Sequence, residues 1–186
     1  MTALTVANQL TLLRMLLIPA FVILVVYGYL GWALAIFVIA GATDALDGAF
    51  ARRAGQKTSL GAWLDPMADK LLLVTTFIVL TIPGLNLANR LPLWLTICII
   101  SRDVVIVATV AIVNLAIGRR TFRPSIYGKI ATATYIGTAV AAMLFNYLGY
   151  HSAIVDLGVW LSLAITLVSA FHYIWHARRV IDAPAS

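Results

Sequence analysis

Six apolar runs of about twenty residues, separated by short gaps rich in proline, glycine and charge, occupy nearly all of this 186-residue chain. An α-helix needs about twenty consecutive apolar residues to cross the hydrocarbon core of a bilayer. The runs therefore predict spans at Leu10–Tyr29, Trp32–Ala51, Ala62–Pro83, Leu93–Ile117, Ile126–Leu148 and Ile154–His176. Composition agrees: 62% of the residues are hydrophobic and 11% charged, where a soluble domain carries roughly 25% charged residues. The expected fold is all-α, an integral membrane bundle of six transmembrane helices forming one domain over residues 1–186, with no room for a separate soluble domain. The N-terminus has neither a basic segment ahead of its apolar run nor a small-residue cleavage site, so the first span is expected to be retained. The single cysteine, Cys98, excludes a disulfide framework and a cysteine metal site.

Charge sets the orientation. Arg52, Arg53 and Lys57 fall between the second and third spans, Arg119, Arg120 and Arg123 between the fourth and fifth, and Arg178 and Arg179 after the sixth, whereas the opposite loops hold only Arg90. The positive-inside rule then makes the basic loops and both termini cytoplasmic. The net charge of +6 is mostly this topology signal. Basic residues scattered over membrane-flanking loops form no stripe of the kind that binds nucleic acid, so no nucleic-acid partner is expected.

Against this background the acidic residues stand out. The chain has seven, all Asp, and four of them, Asp44, Asp47, Asp65 and Asp69, lie within 26 residues on the second and third spans. Spacings of three and four put each pair on one helix face. At 1.5 Å per residue, Asp47 lies about 7–8 Å and Asp44 about 12 Å inward from Arg52, while Asp65 and Asp69 lie about 6 and 12 Å inward from Gly61 on the antiparallel neighbour. The two pairs are thus expected to face each other at matching depths below the cytoplasmic surface. Each ionised Asp costs roughly 2.5–3.5 kcal/mol at a helix centre even on the lenient insertion scale.

Two divalent cations would balance the four charges, and an all-oxygen donor set favours Mg²⁺ or Mn²⁺ over zinc or copper. Two such ions suit displacement at phosphorus, because together they neutralise the attacking and leaving oxygens. Gly48 and Ala51 leave a gap beside Asp47, and Arg52 sits at the mouth with Lys57 in the loop above. Other readings are an Asp–Arg or Asp–Lys packing device and a cation transporter that uses the quartet as its permeation site. A transporter is expected to carry interrupted helices in both halves, and the second half of this chain holds no matching carboxylates.

From Asp44 to Asp69 the residues match, without departure, the pattern D-x2-D-G-x2-A-R-x8-G-x3-D-x3-D. In this the chain resembles the CDP-alcohol phosphatidyltransferase family. The resemblance extends to Asn8, Thr11 and Arg14 with Pro19 on the first span, to the run Leu64, Asp65, Pro66, Ala68, Asp69 and Lys70, and to Pro124, Gly128, Lys129 and Thr132 entering the fifth. It implies a homodimeric enzyme of phospholipid biosynthesis, in a bacterial inner (cell) membrane, that moves a phosphatidyl group from CDP-diacylglycerol to an alcohol and releases CMP. Carried over residue by residue, it implies that Asp44, Asp47, Asp65 and Asp69 hold the metal pair. Asp69 would be the catalytic base, and Gly48, Ala51, Arg52, Lys57 and Gly61 would bind the CDP moiety. The version at Asp65 to Lys70 resembles the glycerol-phosphate and cardiolipin branches. The acceptor is therefore expected to be glycerol 3-phosphate, giving phosphatidylglycerophosphate, with phosphatidylglycerol, giving cardiolipin, as the alternative. Either is a phosphate-bearing glycerol, so a basic pocket is expected at Arg102 and Lys129, with Arg120 and Arg123 as further candidates. Asp103 beside Arg102 is read equally well as its structural counter-ion.

Overall fold

The computed structural model describes residues 6–54, 59–116 and 126–182, all organised by six helices with no strand among them. They are α1 (Val6–Val26), α2 (Leu30–Ala54), α3 (Ser59–Thr81), α4 (Leu93–Ala116), α5 (Ile126–Leu148) and α6 (Ala153–Asp182). Each falls on one of the six apolar runs. The largest difference is at a basic end, where α6 runs past His176 to Asp182, 30 residues in all; α1 starts four residues early at Val6, and α2 continues through Arg52 and Arg53. Hydropathy falls off at such positions, but the helix hydrogen-bond ladder does not.

Two helix ends are built the same way. Gly28 (φ 80°) follows α1 and Gly149 (φ 78°) follows α5. In each, the glycine N–H donates to the carbonyl three residues back, and the next residue's N–H to the carbonyl five back: Gly28 to Val25 (3.0 Å) and Tyr29 to Leu24 (2.8 Å), Gly149 to Asn146 (3.2 Å) and Tyr150 to Phe145 (3.3 Å). This is the Schellman arrangement, in which a left-handed residue satisfies the last carbonyls, and glycine adopts it without a Cβ penalty. It explains why these two glycines stop apolar runs that could otherwise continue.

The chain forms two compact units. The first comprises residues 1–90 and 139–152, the second residues 91–138 and 153–186. In the first, α1 packs on both α2 and α3, and α2 on α3. The buried face of α1 runs Thr11, Arg14, Phe21 and Val25, the spacing of a single helical stripe, and the Phe21 and Phe37 rings lie 6.2 Å apart. At the far end of this unit Asn89 ties three segments. Its N–H donates to Asn146 Oδ1 (2.6 Å), its carbonyl accepts from Asn146 Nδ2 (3.2 Å), its amide nitrogen donates to Tyr150 O (2.8 Å), and its Oδ1 accepts from Ser152 N–H (2.8 Å).

In the second unit α4 packs on α6. The α6 residues Gly158, Ser162, Thr166 and Ser169 recur at one-turn spacing and form a polar seam. Thr138 Oγ1 lies 3.0 Å from Ser162 Oγ and 3.1 Å from Gly158 O, and Tyr135 Oη lies 2.6 Å from Thr166 Oγ1. A Cβ on Gly158 would stand 2.8 Å from Thr138 Oγ1, so only glycine allows this approach.

The interior mixes apolar side chains such as Phe21, Leu80, Leu91 and Leu95 with small hydroxyl side chains, and many large apolar residues face outward. Ser162 and Thr76 are fully buried, while Leu16 (70% exposed), Leu115 (88%) and Phe171 (72%) face outward. Small hydroxyl residues inside and large apolar residues outside are what a hydrocarbon solvent selects. Ile126–Leu148 and Ala153–Tyr173 are each long and apolar enough to cross a membrane, and shorter apolar stretches occupy Thr11–Val26, Leu30–Thr43 and Lys70–Thr81.

Candidate active site

The first unit carries the Asp quartet. Asp44 and Asp47 lie on α2 and Asp65 and Asp69 on α3, two helices of one unit separated by only four residues of chain. Because α2 runs on to Ala54 and α3 starts at Ser59, the Asp positions lie farther from their helix ends than from Arg52 and Gly61. Asp47 and Asp65 lie about 9–10 Å from those helix ends and Asp44 and Asp69 about 15 Å. Measured along the helix axes, the two pairs thus stand at similar distances from the ends of α2 and α3. The side chains of Asp44, Asp47, Asp65 and Asp69, and those of Gly48, Ala51, Arg52 and Gly61, fall outside the described residues, as does Lys57 altogether.

On α1, Arg14 is 1% exposed and Thr11, one turn earlier, also 1%, which makes Arg14 the largest fully buried side chain of the described residues. In the sequence Arg14 stands within the resemblance carried by Asn8, Thr11 and Arg14, which attaches no role to it. The available signal was that it is the one charged residue of the first apolar run, on the same face as Phe21 and Val25.

The acceptor-phosphate candidates belong to the second unit. Arg102 Nη1 donates to Asp103 Oδ1 at 2.7 Å, Nη2 donates to the Ser169 hydroxyl of α6, and Nε is buried with no hydrogen-bond partner. The Arg102 and Asp103 side chains are 9% and 21% exposed. Asp103 is therefore a counter-ion of Arg102, and the guanidinium joins α4 to α6. Lys129 stands on the first turn of α5 and is exposed. Arg120 and Arg123 lie outside the described residues. Beside Lys129, the ring of Tyr127 lies 4.6 Å from that of His172, so His172 packs against an aromatic neighbour. Among the described residues no group of three His, Cys, Asp or Glu comes together.

An all-helical chain with paired carboxylates on adjacent helices defines a class, and comparison with known proteins identifies it. Residues 4–173 match the family model described as CDP-alcohol phosphatidyltransferase. The human cardiolipin synthase (CMP-forming) is 31% identical over 96% of this chain and 63% of its own length. A probable phosphatidylglycerophosphate synthase of Mycobacterium tuberculosis is 31% identical over 94% of this chain and 82% of its own. The CDP-diacylglycerol–glycerol-3-phosphate 3-phosphatidyltransferase of Bacillus subtilis is 32% identical over 92% of this chain and 96% of its own. The chain thus spans somewhat under two thirds of the length of its human relative. It belongs to the CDP-alcohol phosphatidyltransferase family.

Proposed function

We propose that this protein is a phospholipid-synthesising transferase that moves the phosphatidyl group of CDP-diacylglycerol to glycerol 3-phosphate, forming phosphatidylglycerophosphate and releasing CMP. The observation that carries this reading is the Asp quartet on α2 and α3, set in a chain that matches the family over residues 4–173. The bacterial relative aligned over nearly its whole length bears the name of that reaction, which favours glycerol 3-phosphate as acceptor. Phosphatidylglycerol, giving cardiolipin, is the second reading, favoured by the name of the human relative.

The donor set fits a pair of Mg²⁺ or Mn²⁺ ions: eight carboxylate oxygens on two adjacent helices, with no sulfur or imidazole in the quartet. Such ions, held by Asp44, Asp47, Asp65 and Asp69, would supply charge neutralisation at the diphosphate. The chain's own residues do the rest. Gly48, Ala51, Arg52, Lys57 and Gly61 hold the CDP moiety. Asp69 accepts the proton of the acceptor hydroxyl as its oxygen attacks the phosphorus that bears diacylglycerol. The phosphoanhydride bond then breaks and CMP leaves with the bonding pair. Asp69 must be less fully engaged with cations than its neighbours to serve as base, since cation binding lowers carboxylate basicity.

Lys129, exposed on the first turn of α5, is assigned to the acceptor's phosphate, with Arg120 and Arg123 close in sequence. Arg102 has both terminal nitrogens engaged with Asp103 and Ser169 and its Nε buried, which favours the fastening role for it over contact with the acceptor's phosphate. The apolar exterior and the two long apolar helices support a bilayer as the solvent; six spans and a cytoplasmic active site and termini rest on the apolar runs and basic loops of the sequence, and the inner (cell) membrane and the homodimer on the family resemblance alone. Purified protein in detergent, given Mn²⁺ and CDP-diacylglycerol, is expected to release CMP when glycerol 3-phosphate is added. Release only with phosphatidylglycerol would establish the second reading, and release with neither would overturn both.

A further inference from the structure

Arg14 is a permanent cation almost wholly removed from solvent, and a buried charge needs an opposite charge or it is strongly destabilising. Its own unit holds four acidic residues, and all are members of the quartet. The helix on which Arg14 lies packs against both helices that carry the quartet.

Levels agree as well. Three residues connect Val26 to Leu30, so the adjoining ends of α1 and α2 are nearly level and the helices antiparallel. From that turn Arg14 lies about 18 Å along α1 and Asp44 about 21 Å along α2. Asp69 lies as far from the other end of the α2–α3 pair as Asp44 does, about 15 Å. Arg14, Asp44 and Asp69 thus occupy one layer, on three mutually packed helices.

We propose that Arg14 is the resident counter-ion of the Asp quartet, a positioning residue that holds the inner carboxylates together before divalent cations bind and competes with those cations for their charge. The inference rests on the two-cation reading for its second half only. Without cations, Arg14 lowers the net charge of the quartet from −4 to −3 and keeps α2 and α3 from separating. When cations arrive, they displace part of this attraction.

Two measurements test it, with Arg14→Gln, Arg14→Lys and the pair Asp44→Asn with Asp69→Asn. In EDTA, Arg14→Gln is expected to lower the unfolding temperature of the otherwise wild-type protein. It should lower it much less, or not at all, in the Asp44→Asn, Asp69→Asn background, because the partners are already gone. In an Mn²⁺ titration followed by electron paramagnetic resonance, Arg14→Gln is expected to bind the ion about tenfold more tightly than wild type, and Arg14→Lys within threefold of it. Should Arg14→Gln fail to fold, folding of the triple variant supports the pairing, and failure of both overturns it. Additive losses in EDTA, or unchanged or weaker Mn²⁺ binding in Arg14→Gln, would also overturn it. A wild type that binds no Mn²⁺ overturns the two-cation reading, while the cycle in EDTA still decides whether Arg14 pairs with the quartet.

Discussion

Removing the carboxylate of Asp103 separates the two readings of Arg102. Arg102 is bonded to Asp103 at 2.7 Å and to Ser169 across the α4–α6 contact, with its side chain 9% exposed. Asp103→Asn leaves that guanidinium buried without its counter-ion. Breaking a fully buried pair costs about 3–5 kcal/mol, and because Asp103 is itself 21% exposed the expected cost here is lower, about 2–3 kcal/mol. Ser169→Ala removes one hydrogen bond to a charged group and is expected to cost about 1.5 kcal/mol. For a chain of this size about 1 kcal/mol corresponds to 2–4 °C. Thermal unfolding in detergent should therefore fall by about 6 °C for Asp103→Asn and by about half that for Ser169→Ala. Replacing Arg102 and Asp103 together by Met and Leu should recover much of the loss, since no charge is then left unpaired. Wild-type unfolding of Asp103→Asn, accompanied by an altered KM for the phosphate-bearing acceptor, would refute the fastening role and make Arg102 a substrate group.

Other substitutions probe other parts of the structure. Asn89→Ala removes the two side-chain hydrogen bonds that reach Tyr150 and Ser152 at a buried junction and is expected to cost about 2–3 kcal/mol, read as a fall in unfolding temperature. Gly158→Ala places a Cβ 2.8 Å from Thr138 Oγ1 and should destabilise by about 1–3 kcal/mol; Gly158→Ala combined with Thr138→Ala should recover part of this. Lys129→Ala should raise the KM for the acceptor about tenfold or more with little change in unfolding temperature, because Lys129 is exposed.

Much of the fold was legible because apolar runs of spanning length and glycine stops are strong local signals. Gly149 ends α5 where the sequence places a gap, Gly28 ends α1 three residues before the expected end of the first span, and Asn8, Thr11 and Arg14 stand as a motif at helical spacing. Helix ends at Arg52–Arg53 and Arg178–Arg179 were less legible, since charge marks where hydropathy stops and not where the hydrogen-bond ladder stops. The α6 seam of Gly158, Ser162, Thr166 and Ser169 also escaped notice. Small residues within an apolar run do not disturb hydropathy, and their role depends on Tyr135, Thr138 and Arg102, which are far away in sequence. Asn89 was unremarkable for the same reason: its partners are 57 to 63 residues distant. For the candidate site, the sequence is enough to put the four Asp on two neighbouring helices, α2 and α3, whereas the burial of Arg14 depends on which face of α1 meets those helices.

Whether the quartet on α2 and α3 works through divalent cations on a CDP-linked lipid is decided by CMP release from CDP-diacylglycerol in the presence of acceptor, measured against Mn²⁺ concentration after chelation, for wild type and for folded Asp44→Asn and Asp69→Asn variants. Release is expected to be absent in EDTA, restored by Mn²⁺ in the wild type, and lower by at least about a hundredfold in each variant. Cation-independent release, or wild-type turnover in either variant, would contradict it.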